Sequence, residues 1–199
     1  MQGSILSSES DTARRGEHTA VFEAMVLAHL NSAYTLARYL TRRSDVAEDI
    51  VQDAILRAYR GFDGQRGENV RAWLLAIVRN CFLTWKAKEV QGSEASPDAE
   101  GGEPSPAYSG GEGMTLETPE SILIEQQQNG AIRSVIESLP HPFRETLVLR
   151  DIEDMSYRDI AEITGVPIGT VMSRLARARK MFAASWKGTE MTSFMGKLP

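Results

Sequence analysis

Between Glu89 and Asn129 the chain carries one Asp and eight Glu and not a single Lys or Arg. Gly, Ser and Pro crowd the middle of this segment, SEASPDAEGGEPSPAYSGGEG (residues 93–113). Such a composition buries too little apolar surface to offset the entropy of ordering the chain. It reads as a flexible acidic linker over residues 89–117. A chain of 199 residues divided in this way has room for two small domains of about 70 residues each. The remaining boundaries follow: a polar N-terminal tail at 1–17, a first domain at 18–88, a second at 118–185 and a C-terminal tail at 186–199.

The break also redistributes the charge. The net charge is −5, which by itself does not point to nucleic acid. Removing the −9 of residues 89–129 leaves +4 for the rest, so the acidity belongs to the linker and the folded parts are mildly basic. A lone cysteine, Cys81, excludes a disulfide framework and a cysteine-based metal site, and reads as a small buried core residue. No apolar run is long enough for a membrane span. MQGSILSSESDTARRGEH has no apolar signal core. The expectation is a cytoplasmic protein with no membrane insertion.

Both flanking parts read as helical, and no strand signal or fixed-period repeat interrupts them. Phe22, Met25, Val26, His29, Leu30, Ala33, Leu36, Ala37 and Leu40 recur every three or four residues, as one apolar stripe on a long helix. Ser44 is a candidate cap for a second helix, with Asp45 and Glu48 near its positive end and Val46, Ile50, Ala54 and Ala58 on its apolar side. After the turn-rich GFDGQRGE, Asn69 caps a third helix predicted to reach about Lys88. Its buried side is Val70, Trp73, Leu74, Ile77, Val78, Cys81 and Trp85. The fold class is therefore all-α: two small helical domains joined by the linker.

In the second part, Thr118-Pro119 opens a helix, LPHPF ends it, and Ser156 with Asp159 has capping-box spacing for a later one. The stretch YRDIAEITGVPIGTVMSRLARAR (residues 157–179) then gives a short helix, a turn at Thr164-Gly165-Val166, and a second helix opened by Pro167. At 100° per residue, Ile168, Val171, Leu175, Ala178 and Phe182 fall on one side. Thr170, Ser173, Arg174, Arg177 and Lys180 fall on the other. This is the helix-turn-helix pattern, in which one face locks the second helix to its domain and the other enters a major groove. Arginine pairs bidentately with guanine, while Thr and Ser reach base edges or phosphates. Arg179 lies to the flank, where phosphate is the expected contact. Basic residues late in a helix also favour the negative end of its dipole, which is the bland alternative.

Two further faces carry weaker signals. Arg71, Arg79 and Lys86 project from the third helix away from its apolar stripe, with Asn80 nearby and the aromatics Trp73, Phe82 and Trp85 interleaved. Such a face suits a single nucleic-acid strand held by backbone charge and stacking, although Trp73 and Trp85 lie on the core stripe. On the second helix, Asp49, Gln52, Asp53 and Leu56 line the exposed side. With no histidine and no facing acidic cluster, they form either a solvated face or a docking surface for a basic protein. No residue set has the arrangement of a catalytic centre, a metal site or a cofactor cradle, and an enzyme is not expected.

Together these blocks resemble the extracytoplasmic-function (ECF) sigma factors of bacterial RNA polymerase, small members of the sigma-70 family. DVAEDIVQDAILRAY (residues 45–59) resembles the core-polymerase-binding helix of region 2, VRAWLLAIVRN (70–80) its promoter-melting helix, and residues 138–179 region 4. The resemblance implies that Asp49, Gln52, Asp53 and Leu56 dock on the clamp coiled coil of the largest polymerase subunit. It implies that the loop at 61–69 takes a flipped base of the −10 element, and that Arg71, Arg79, Asn80 and Lys86 hold the non-template strand. Thr170, Ser173, Arg174, Arg177 and Lys180 would read the −35 element, with region 4 seated at the polymerase flap. The family's usual restraint is an anti-sigma factor. The chain departs from the family pattern at WKAKE (residues 85–89), where relatives often carry a run of arginines. The competing readings are a sigma-like decoy that titrates an anti-sigma factor, a stand-alone helix-turn-helix regulator, and a recombinase that uses this motif for targeting.

The family's linker threads the polymerase cleft, so an acidic one either mimics nucleic acid or is a solubilising spacer. Replacing the seven acids of residues 89–117 with Gln and Asn is expected to tighten DNA binding by the free protein in a salt titration. Unchanged affinity would identify a spacer.

Overall fold

The computed structural model describes residues 16–62 (Glu17 apart), 69–93 and 119–195, with side chains described except at 92–93, 119–128 and 188–195. The N-terminal tail to residue 15, the candidate base-capture loop at 63–68 and most of the acidic linker (94–118) lie outside the described residues. Among those described, every regular element is helical: α1 (18–26), α2 (Leu30–Thr41), α3 (Ser44–Gly61), α4 (Val70–Ser93), α5 (Pro119–Ser138), α6 (His141–Leu147), α7 (Tyr157–Thr164) and α8 (Ile168–Met195). The all-α expectation holds.

Several local details differ from the sequence reading. The first stripe is broken by a 3-10 turn, Leu27–His29, so it lies on two helices. Met25 and Leu30 are exposed and His29 is only half-buried. Ser44 is the first residue of α3 and makes no cap; Arg43 precedes it in extended conformation. Helix α4 continues past Lys88 to Ser93, and α8 runs through the expected tail to Met195. Asn69 does cap α4, accepting a bond from the Ala72 amide at 3.0 Å.

The second part starts and stops where its chemistry requires. Ser156 Oγ accepts from the Asp159 amide at 3.1 Å and donates to the Asp159 carboxylate at 2.7 Å, which satisfies an orphan N–H of α7. Helix α7 ends at Gly165, whose φ of +68° is left-handed and cheap only for glycine. Between α6 and α7 the chain widens into a π turn, Val148–Ile152.

The larger finding concerns the two halves, α1–α4 and α5–α8. They are packed together around one continuous apolar core. Helix α4 lies against α7, and α2 lies against α5, α6 and the π turn. Helix α4 is therefore buried on two sides. Val70, Leu74, Val78 and Cys81 face α2 and α3, and Leu75 and Phe82 are also buried, with the His141 ring stacked on Phe82 at 5.2 Å. Arg144, only 4% exposed, fastens the halves. Its guanidinium donates to the carbonyls of Glu137 (2.9 Å) and Leu139 (3.1 Å) at the end of α5 and of Leu40 (3.2 Å) at the end of α2.

His141 sits at the first turn of α6 in this seam, where the positive helix end disfavours an imidazolium. Burial pushes its pKa down to about 4, helped by Lys86, Arg144, Arg79 and Arg174. The unfolded chain takes up this proton below about pH 6.5, so the neutral ring's contribution is full above that pH and is lost as pH falls towards 4. Denaturant midpoints should drop between pH 7.5 and 5 by more in the wild type than in His141→Leu. Equal drops would remove His141 from the account.

Candidate nucleic-acid interface

The outward side of α8 is the first candidate surface. Val171, Leu175 and Ala178 are buried and hold the helix against its half, while Ser173, Arg177 and Lys180 are exposed and Thr170 is half-buried. Ser173 Oγ donates to the Thr170 carbonyl at 3.0 Å. Two arginines lie differently from the sequence reading. Arg174 is half-buried on the inward flank, close enough for its charge to act on Glu145 and His141. Arg179 is engaged by Asp151 of the π turn through a two-pronged pair, Nε to Oδ2 at 3.0 Å, and so braces the motif from outside. Ile168, expected on the buried side, is exposed, because the first turn of α8 projects past the elements that cover the helix further on.

The second candidate surface, on α4, is covered. Arg71 and Arg79 were expected to project into solvent, yet the second half lies over this side of the helix. Arg79 Nε donates to Glu145 Oε1 at 2.7 Å. Arg71 pairs with Glu153, and its Nε also donates to Ser32 at 3.2 Å. Arg38 of α2 adds a third ion pair across the seam, to Glu137 at 3.1 Å. Glu145 is 1% exposed; burial raises its pKa, and the charge and hydrogen bond of Arg79 oppose that shift. A carboxylate this deep stays ionised only beside a cation. Asn80 and Lys86 remain exposed, and Lys86 lies 6.0 Å above the Phe82 ring. Trp73 and Trp85 are partly buried against the core rather than displayed.

The third surface is the outer side of α3. Asp49 and Gln52 are exposed, and Leu56 shows 57% of its surface, which is unusual for a leucine on a stable helix. Asp53 is held by Arg57 one turn on at 2.8 Å, and that pairing lowers its carboxyl pKa. Beneath this pair lies Cys81 of α4, whose thiol burial pushes up to about 11. Among the described residues no group of three or more His, Cys, Asp or Glu is arranged to hold a metal, and no helix is long and apolar enough to cross a membrane.

Sequence reasoning singled out Arg71 and Arg79 but missed the carboxylates that face them, Glu145 and Glu153. Glu145 lies on α6 and Glu153 just past the π turn, and nothing local signals a partner 66 or 82 residues away.

Comparison with known proteins gives the family. The family profile Sigma-70 region 2 matches residues 25–90, and Sigma-70, region 4 matches residues 129–182. The ECF RNA polymerase sigma-E factor of Haemophilus influenzae is 32% identical over 86% of this chain and 89% of its own length. The RNA polymerase sigma-H factor of Pseudomonas aeruginosa is 30% identical over 88% of this chain and 93% of its own. Among solved structures, the sigma factor RpoE of Bartonella quintana, in complex with the anti-sigma factor NepR, superposes with a TM-score of 0.66 at 30% identity. That match covers 83% of this chain and 96% of RpoE. Two helical halves of region 2 and region 4 type, a completed helix-turn-helix and relatives matched over nearly their whole length make this chain a member of the ECF group of sigma-70 family RNA polymerase sigma factors.

Proposed function

We propose that this sigma factor directs initiation at two-part promoters through three surfaces that are not all available at once. The observation that carries the reading is α8, where a geometrically complete helix-turn-helix turns Ser173, Arg177 and Lys180 outward. These, with Thr170, read the −35 element. Arg174 supports them from the flank. On α3, Asp49, Gln52 and Leu56, with Asp53, dock on the clamp coiled coil of core polymerase in the bacterial cytoplasm, and region 4 seats at the flap. Asn80 and Lys86 meet the −10 strand first.

Arg71 and Arg79 join them only when the halves separate. In the packed form these guanidiniums already hold carboxylate oxygens, so promoter phosphates and the region 4 glutamates compete for the same donors. Docking on the polymerase supplies the separation and then tethers two DNA-reading modules to one assembly, which raises the effective concentration of each. Capturing unstacked −10 bases offsets an unpairing cost of a few kcal/mol. An anti-sigma factor, as NepR is for RpoE, would hold this chain off polymerase. The sigma-70 family is not an enzyme class, and no catalytic role is assigned.

Transcription by core polymerase plus this chain on fragmented host DNA, with RNA 5′ ends mapped, should yield starts sharing an upstream two-block motif. Folded protein and active core without such starts would defeat the proposal. The charge reversal Asp49→Lys with Asp53→Lys should abolish co-elution with core polymerase and leave the helical circular dichroism signal unchanged. Undiminished co-elution would move the docking site elsewhere.

A further inference from the structure

The exposed surface of the first turns of α8 is not uniformly polar. Ile168 is 46% exposed and Met172 54% exposed, one turn apart at the end of the helix that leads into a groove. Ala176, exposed another turn on, completes an i, i+4, i+8 ridge, alongside the polar ridge of Ser173 and Arg177. Both large side chains lie in the first turns of α8, and no described element covers them. The surroundings fit nucleic acid better than a protein partner. From Gly165 to Thr189 there are four Arg or Lys residues besides Arg179 and no acid, and Arg179 is already neutralised by Asp151.

An apolar ridge within a cationic helix face has one matching feature in the major groove, the thymine C5-methyl, which projects there and accepts apolar contact. We infer that Met172 and Ile168 are specificity-determining residues of this sigma factor, selecting thymine in the −35 block by packing on its methyl group. Ser173 and Arg177 set neighbouring positions by hydrogen bonding. This inference rests on the −35 assignment of α8.

The test is selection by the assembled holoenzyme from a library of duplexes randomised in the upstream block, made once with thymine and once with uracil replacing thymine in that block. Uracil keeps every base-pairing group and loses only the methyl. With thymine, a two-block motif should emerge with a thymine in the upstream block. With uracil, preference at that position should fall about fourfold, the effect of one methyl-sized group buried, while the other positions hold. Met172→Ala, and to a lesser degree Ile168→Ala, should flatten the same position on the thymine library. Because both residues are exposed, the fold is not at risk. Arg177→Ala should instead flatten a different position. An intact profile on the uracil library, an upstream block lacking thymine, or a Met172→Ala profile identical to wild type would each overturn the inference while leaving the promoter reading in place. Recovery of no motif at all would overturn both.

Discussion

A single buried guanidinium closes this fold. Arg144 lies where α2 and α5, one from each half, end side by side, and donates to a carbonyl of each. Helix C-termini leave carbonyls without intrahelical partners and carry partial negative charge. Bringing two such ends together without a cation would bury unpaired acceptors from both. The demand is mutual, because burial pushes the Arg144 pKa down to about 10, and the ring of acceptors is what keeps its charge tolerable in the interior. The α2 end is finished locally as well: Thr41 Oγ1 donates back to the Ala37 carbonyl at 2.9 Å, and Arg42 takes a left-handed φ of 64°.

The residue next to Arg144 serves the seam in a second way. Glu145 points to Arg79 on α4, so α6 offers a cation to one helix of the first half and an anion to another. With Arg71–Glu153 and Arg38–Glu137, the seam reads as alternating charge laid over an apolar floor of Leu75, Phe82, Leu149 and Ile160. Ion pairs of this kind contribute little net stability but make removal of one partner costly. They fix the register of the two halves more than they strengthen it.

The sequence made the helix-turn-helix legible, because its signals are local: a capping serine with its aspartate, a glycine at positive φ, and a proline opening α8; the π turn before it and the run of α8 to Met195 carry no such signal. The buried stripe of α3 was equally plain. Helix α4 was readable only in part. A helix buried on one side shows one stripe, and Val70, Leu74, Val78 and Cys81 supplied it. Leu75 and Phe82, on the adjoining side, looked like scatter because the surface that buries them comes from beyond the linker. For the same reason Arg71 and Arg79 read as solvent-facing cations. Arg174 and Arg179 show the limit of helical-wheel reasoning: a wheel tells neither that Arg174 is half-buried on the inward flank nor that Asp151 of the π turn occupies Arg179. Ile168 failed differently, since a periodic stripe says nothing about where the covering elements stop.

The single cysteine bears on how open this chain is to oxidation. Cys81 lies in the core of the first half, beneath Asp53 and Arg57, with its thiol pushed well above neutrality. Oxidants attack the thiolate, and a residue with so little of it, enclosed on all sides, is a poor sensor. Peroxide or disulfide chemistry therefore has no direct entry to this chain through sulfhydryl switching. A redox signal carried by thiol chemistry would have to be received by another molecule.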